Sequence, residues 1–342
     1  MEEKNAVYHE NVWQNVFLQE RIDTHWLSYN PHAFLPLDYD CFLKTGVFSK
    51  LEMHRPSCPS ESPPVFIVGC GRSGSSLLGK LLSAHSDVLF LNEPRQVWMQ
   101  IFPEYDIWSV KAKERLGSLT MTHSLPTPEQ TLKLHSLFLE LQSVACRSVL
   151  VEKTPEHAFK LDWLSKVFPK CKVIFVKRDA LSTCRSISRF QPRMWYGFRD
   201  EYKWKQLAQL IPEFQGELRL SEDFMDLANR PDEYLAKAIV EWALSLLSSR
   251  RFANKLSPGE KNTRYLEIHY QDLVEFPKEK IREVLKFVNL EDETEMLKLS
   301  KNLIQGHKSP ASPLRRSSVN SDLTEDDIID LAGDDFKRLM NN

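Results

Sequence analysis

The chain is poor in cysteine, with six in 342 residues at positions 41, 58, 70, 146, 171 and 184. They form no Cys-x-x-Cys pair and stand near no histidine at zinc-ligand spacing, which argues against a zinc module and against a disulfide-built secreted scaffold. Free thiols in a reducing compartment are the simplest reading. Long hydrophobic runs are missing too: nothing approaches the ~18 consecutive apolar residues of a spanning helix, so no membrane span is expected. Met1-Glu2-Glu3-Lys4-Asn5 opens on charge rather than on a leader's apolar stretch, which predicts a cytoplasmic protein. Nor does one sign of charge dominate. Forty-five Lys and Arg against 47 Asp and Glu leave a formal net charge of −2. There is no global field to recruit nucleic acid or an anionic membrane, so any anion site must be a local gathering of donors. With 42% hydrophobic residues the chain can build an extensive core.

One further absence is the most informative. Gly69-Cys70-Gly71-Arg72-Ser73-Gly74-Ser75-Ser76 has the frame of a phosphate-binding P-loop, but Ser75 stands where the loop's lysine would be. Val65-Phe66-Ile67-Val68 before it reads as a buried strand, and Ser76 to Leu82 after it as an amphipathic helix. Backbone N–H groups of the turn and the helix dipole would therefore face an anion. A tight turn with a capping serine and no ligand fits the same letters. Strands are also predicted at 88–91, 148–151 and 172–177, alternating with helices at 128–145 and 156–168. That alternation predicts an α/β fold, P-loop NTPase-like, a three-layer α/β/α sandwich with a mainly parallel central sheet. Ligands in such sheets bind beyond the carboxyl ends of the strands, where the Gly69–Ser76 turn, Glu93, Lys153 and Arg178 all fall.

Arg72-Ser73-Gly74-Ser75-Ser76 resembles the 5′-phosphosulfate loop of the sulfotransferases that use 3′-phosphoadenosine 5′-phosphosulfate (PAPS). Lys172 to Asp179 is similar to the family's 3′-phosphate element, an apolar strand ending in Arg178-Asp179 with Ser186 eight residues after the arginine. Val151-Glu152-Lys153-Thr154-Pro155 and the late segment Leu266 to Pro277, with Tyr270, also match, so the resemblance covers about Pro64 to Leu290. It is nearer the tyrosylprotein and glycan branches than the cytosolic small-molecule branch, whose basic C-terminal signature is absent. Golgi members carry a signal anchor, so a Golgi-lumen location would require that one had been removed here.

The resemblance implies PAPS as sulfonate donor, no metal, and a hydroxyl-bearing acceptor on a carbohydrate, lipid, polyketide or peptide tyrosine. It assigns cofactor binding to Arg72, Ser73, Gly74, Ser75, Ser76, Arg178, Ser186 and Tyr270, and catalysis to Glu93 as base, Lys153 at the bridging or sulfonate oxygens, and Arg72. The bond broken lies next to the α-position phosphate, which explains why the Walker lysine is dispensable. Each assignment has a plainer rival: Glu93 in an ion pair with Arg95 or Arg72, Lys153 as an exposed lysine before a helix, Arg178 paired with Asp179. His123 or His157 stay open as alternative bases. A degenerate P-loop kinase or ATPase fits the turn as well, with Glu152 or Asp179 as its acidic strand end, and so does a catalytically silent nucleotide-binding protein.

Three regions are expected. Residues 1–63 read from composition as an aromatic-rich extension packed on the core plus a Pro/Ser linker, 64–310 as the sulfotransferase domain that the resemblance implies, and 311–342 as an acidic tail with enough Leu and Ile for a short helix. Segment 190–216, with its interleaved aromatic and basic residues, reads equally as a substrate lid and as an insert packed on the sheet. The long helix at 232–254 places Trp242 in the core rather than on an adenine. The basic stretches at His307-Lys308 and Arg315-Arg316 read either as a closure over the 3′-phosphate or as a phosphorylatable linker. Acceptor identity and oligomeric state are not written in the sequence.

Overall fold

The computed structural model describes residues 62–99, 101–105, 107, 117–145, 147–190, 202–308 and 324–341. The expected packing of residues 1–55, the aromatic-basic run 191–201 and the stretch from Ser309 to Ser317 lie outside them.

Five strands, β1 (Val65–Gly69), β2 (Val88–Asn92), β3 (Val149–Lys153), β4 (Lys172–Lys177) and β5 (Tyr265–His269), form one sheet in the order β2-β3-β1-β4-β5. Every pairing in it is parallel. The helices in chain order are α1 (Ser75–Ser83), α2 (Arg95–Met99), α3 (Pro128–Ala145), α4 (Leu161–Val167), α5 (Ala180–Phe190), α6 (Tyr202–Leu210), α7 (Glu222–Ala228), α8 (Tyr234–Lys255), α9 (Pro258–Arg264), α10 (Tyr270–Glu275), α11 (Pro277–Val288), α12 (Thr294–Lys308) and α13 (Glu325–Asn341).

The sheet is covered on both faces, so its inner strands are apolar throughout rather than alternating. In β1 all five residues are buried. Val65 and Ile67 join Leu77, Leu78 and Leu81 of α1, with Ile281 and Val284 of α11, in one core. Phe66 and Val68 point the other way, into a second core built by α8 and its neighbours. The chain leaves β1 for β2, returns to β3 and then crosses to β4 on the far side of β1. The carboxyl end of β1 is thus the point of reversal, the place where open α/β sheets leave a crevice.

Two expectations change. The helix expected over 156–168 is a 3-10 turn at Pro155–Phe159 followed by α4, because Lys160 between them (φ −129°, ψ 24°) leaves the helical region. The acidic end of the chain, α13, is two short helical segments meeting at a kink at Gly333 (φ 85°), and it is packed rather than a free tail: Ile328, Ala332 and Phe336 are buried in the α8 core. Trp242 sits in the core, 3% exposed, with its ring edge-on to Phe336. No helix among the described residues is long and apolar enough to cross a membrane.

Candidate active site

The turn after β1 is built from backbone that only certain residues tolerate. Gly69 takes φ 155°, and a Cβ there would sit 2.6 Å from the Val176 carbonyl oxygen of β4. Gly74 takes φ 96° as N-cap of α1, and a Cβ on it would enter the ring of Tyr270. Between them Arg72 is left-handed at φ 68°, a conformation that costs a non-glycine residue on the order of 1–2 kcal/mol. Ser73 and Ser75 are buried, Ser76 is half-buried, and Arg72 projects outward.

The second motif arrives against this turn from β4 and α5. Arg72 Nε donates to Ser186 Oγ at 3.1 Å. Arg178 Nη1 donates to the Arg72 carbonyl at 3.2 Å, and its guanidinium lies over the Tyr270 ring, 4.7 Å from the centroid. Residues 106 and 114 positions apart in the chain thus share one edge of the sheet. Asp179 is the cap of α5, accepting from the Ser182 N–H at 2.7 Å and from Gln271 Nε2 at 2.7 Å. Its carboxylate is 4.0 Å from Arg178 Nε, beyond hydrogen-bond reach. Trp242 Nε1 donates to the Arg178 carbonyl at 3.0 Å, so α8 fixes the strand end from behind. Among the described residues, two buried side-chain atoms of this edge, Ser73 Oγ and Arg178 Nε, have no hydrogen-bond partner. Buried polar atoms are rarely left so, and both are of a kind that donates to an anion.

The second cluster lies at the ends of β2 and β3. The Glu93 N–H donates to the Lys153 carbonyl at 2.8 Å, extending the β2–β3 ladder by one residue and setting the two side chains together. Glu93 is left-handed as well, at φ 50°. Lys153 Nζ is 2.5 Å from Glu93 Oε1, and Arg95 Nη2 is 3.0 Å from Glu93 Oε2. Burial alone would raise the Glu93 carboxyl, but the charges of Lys153 and Arg95 outweigh it and hold the group at about 2. The carboxylate is ionised and, held this way, weakly basic. Lys153 is not the exposed lysine a strand end suggests: it is 1% exposed. Lys80, on α1, has a depressed pKa, first from burial and then from the charge of Lys153.

The neighbouring strand residue, Glu152, points to the opposite face into the aromatic core. It accepts from Trp98 Nε1 at 3.0 Å and from Thr154 Oγ1 at 2.9 Å, and burial raises it to about 8. His157 is also fully buried, ringed by Phe66, Trp98 and Tyr105 with centroids 5.4 to 5.6 Å away, and burial drives its pKa well below the usual histidine range. Walled in this way, His157 is no candidate for the base, while His123 is exposed on a turn. Neither Glu152 nor Asp179 offers the free carboxylate that a Walker-type magnesium site requires, since one is neutral in the core and the other caps α5. No group of three or more His, Cys, Asp or Glu residues among the described residues could hold a metal ion.

Sequence reasoning missed the carboxylates and lysines behind Glu93, namely Glu156, Lys203 and Glu241. Each sits on a helical segment where a charged residue ordinarily faces solvent, and its partners come from other elements. The only local hint was Arg95, in the Glu93-Pro94-Arg95 turn.

The model of a sulfotransferase family matches residues 63–228, which hold the Arg72 and Arg178 turns and the Glu93–Lys153 pair. Among curated proteins, the chain is 22% identical over 339 residues to the omega-hydroxy-beta-dihydromenaquinone-9 sulfotransferase Stf3 of Mycobacterium tuberculosis, covering 82% of this chain and 77% of that one. It is 23% identical over 232 residues to protein-tyrosine sulfotransferase 1 of Danio rerio, covering 67% of this chain and 54% of the fish protein. Solved structures with similarity include sulfotransferase STF9 from Mycobacterium avium, with a TM-score of 0.47 at 13% identity over 83% of this chain and 77% of that one. Another is the sulfotransferase domain of the Synechococcus PCC 7002 olefin synthase, with a TM-score of 0.44 at 20% identity over 82% and 96%. The match over the two turns, with relatives aligned along most of the chain, supports a sulfotransferase family for this protein.

Proposed function

We propose that this chain is a PAPS-dependent sulfotransferase that moves a sulfonate in line to a hydroxyl acceptor and releases adenosine 3′,5′-bisphosphate. The observation that carries the reading is the meeting of Arg72, Ser186 and Arg178 at the carboxyl end of β1. Two separate donor sets stand there side by side, as a nucleotide with an anion at each end requires. The unpartnered donors Ser73 Oγ and Arg178 Nε fit such a ligand. Arg72 with the Ser73–Ser76 turn would hold the 5′-phosphosulfate, and Arg178 with Ser186 the 3′-phosphate, through charge-assisted hydrogen bonds. Tyr270, packed on Gly74 and under Arg178, would shape the floor between them.

PAPS supplies an activated sulfur whose bond to the 5′-phosphate oxygen breaks as the acceptor oxygen bonds to it, leaving negative charge on the bisphosphate. The protein contributes position and charge to this, as in phosphoryl transfer. Glu93 takes the acceptor proton, a role worth typically 10²–10⁴-fold. Its low basicity beside Lys153 makes the lysine the control: as Lys153 turns from Glu93 toward the leaving oxygen, the carboxylate loses its nearest cation and becomes a better base. The relatives' names point to unlike acceptors, an omega-hydroxy-beta-dihydromenaquinone-9 and a protein tyrosine. For this chain the acceptor class stays with carbohydrate, lipid, polyketide or peptide hydroxyls, in the cytoplasm.

Arg72→Ala tests the reading. Sulfonate transfer from PAPS should fall at least a hundredfold, the order expected when a charged transition-state donor is removed, and calorimetry should show weaker binding of adenosine 3′,5′-bisphosphate. Wild-type transfer and affinity in that variant would refute the assignment.

A further inference from the structure

Behind Glu93 the charges do not stop. Arg95 Nη2, 3.0 Å from Glu93, is also 3.2 Å from Glu156 Oε2 on the 3-10 turn after β3. Glu156 Oε1 lies 3.8 Å from Lys203 Nζ of α6, and Lys203 donates to Glu241 Oε1 of α8 at 2.8 Å. With Lys153 at the near end, six side chains alternate in sign across β3, the β2 end, α2, the 3-10 turn, α6 and α8. The far pair is sealed, with Lys203 1% and Glu241 2% exposed.

Stability does not explain such an arrangement. Buried ion pairs recover little more than their desolvation cost, and well-packed apolar residues in their place are often as stable. What the chain of charges does change is the sharing of Arg95. One guanidinium nitrogen serves two carboxylates, so whatever Glu156 draws is withdrawn from Glu93. The cations of Arg95 and Lys203 outweigh burial and keep Glu156 ionised, able to draw at neutral pH.

Resting on the reading of Glu93 as the base, we propose that Glu156, anchored by Lys203 and Glu241, is a positioning residue: by holding part of Arg95 it orients the Glu93 carboxylate and keeps it able to accept a proton. Glu156 itself touches neither donor nor acceptor. In its absence Arg95 would close fully on Glu93, leaving it oriented for the ion pair rather than for the acceptor.

The experiment compares Glu156→Gln and Glu93→Gln alone and together, on the full chain. It reads kcat with PAPS and either N-acetyl-tyrosinamide or 1-octanol as acceptor, and bisphosphate affinity by calorimetry. Glu156→Gln should lower kcat on the order of ten-fold, the size of coupling usual between contacting charges, with bisphosphate affinity unchanged, and Glu156→Asp should restore most of the loss. In the Glu93→Gln background the same change should do almost nothing, because the group it acts through is gone. An equal loss in both backgrounds, or wild-type kcat in Glu156→Gln, overturns the positioning role while leaving the site assignment standing. Loss of bisphosphate binding by the wild-type chain, or full turnover by Glu93→Gln, takes down the site assignment and this proposal with it. Should Glu156→Gln fail to fold, Lys203→Met with Glu241→Gln replaces the far pair by neutral side chains of similar size. A kcat change there that vanishes in the Glu93→Gln background supports the proposal, and no change overturns it.

Discussion

Adjacent residues at the end of β3 face opposite chemistries. Lys153 turns to Glu93, whose carboxyl is held at about 2, while Glu152 turns into the aromatic core and is raised to about 8. The two carboxylates therefore tie stability to pH with opposite signs. Glu93, depressed in the folded state, stabilises above its ordinary value near 4.5, and the gain is lost as pH falls toward 2. Glu152, raised in the folded state, stabilises fully below 4.5, and its contribution is lost as pH rises through about 8. Between pH 7 and 9 the protein should thus lose stability that Glu152→Gln does not lose, on the order of 1 kcal/mol, since each pH unit between the unfolded and folded values is worth about 1.4 kcal/mol and the loss levels off above the folded one. Urea unfolding at the two pH values measures it, and parallel profiles for the two proteins would contradict the neutral-carboxyl assignment. Arg72, Arg178, Ser186 and Glu93 were legible in the chain because each belongs to a short strand-turn-helix unit whose letters are local. Burial of Lys153 was not, because it depends on α1 and β2 closing over a strand end. Glu156, Lys203 and Glu241 were unreadable for the same reason, as a charged helical residue carries no mark of a partner on another element.

Among the elements, the parallel sheet followed from apolar runs bounded by turns, and α3 and β4 fall where their periodicity put them. The helix over 156–168 did not, because nothing in that pattern marks Lys160 as a break. Helix α13 shows the difference between a composition and a face. Its acidic residues suggest a solvated tail, yet Ile328, Ile329 and Ala332 before the Gly333 kink, and Phe336 and Leu339 after it, are all buried. Phe336→Ala should cost about 3–5 kcal/mol, the usual range for a large aromatic removed from a core. Glu325, at the exposed start of the same helix and paired with Arg185, should cost under about 1 kcal/mol when changed to Ala. Chemical denaturation separates the two, and equal small losses would mean that α13 is not part of the cooperative core. Because Phe336 packs on Trp242, and Trp242 holds the Arg178 carbonyl, the Phe336 variant should also bind the bisphosphate more weakly.

For the molecule as a whole, the proposed chemistry sits where the parallel sheet reverses its strand order at β1. A ligand that binds only the folded protein adds about 2.7 kcal/mol at a hundredfold excess over its Kd. Adenosine 3′,5′-bisphosphate should therefore raise the melting temperature by several degrees, whereas ATP with Mg²⁺ should leave it unmoved. The opposite ranking would favour a nucleotide kinase or ATPase. The near-neutral net charge bears on the same experiment: attraction for the bisphosphate comes from a few local donors, so affinity should fall only gently with salt.

Tyr270 lies against Gly74, though most of the polypeptide separates them along the chain. A ribosome building this protein releases the glycine-rich turn well before the tyrosine. The turn must hence wait for Tyr270 to emerge before its neighbour can close against it, so this edge of the sheet is completed only after the intervening strands and helices have been made.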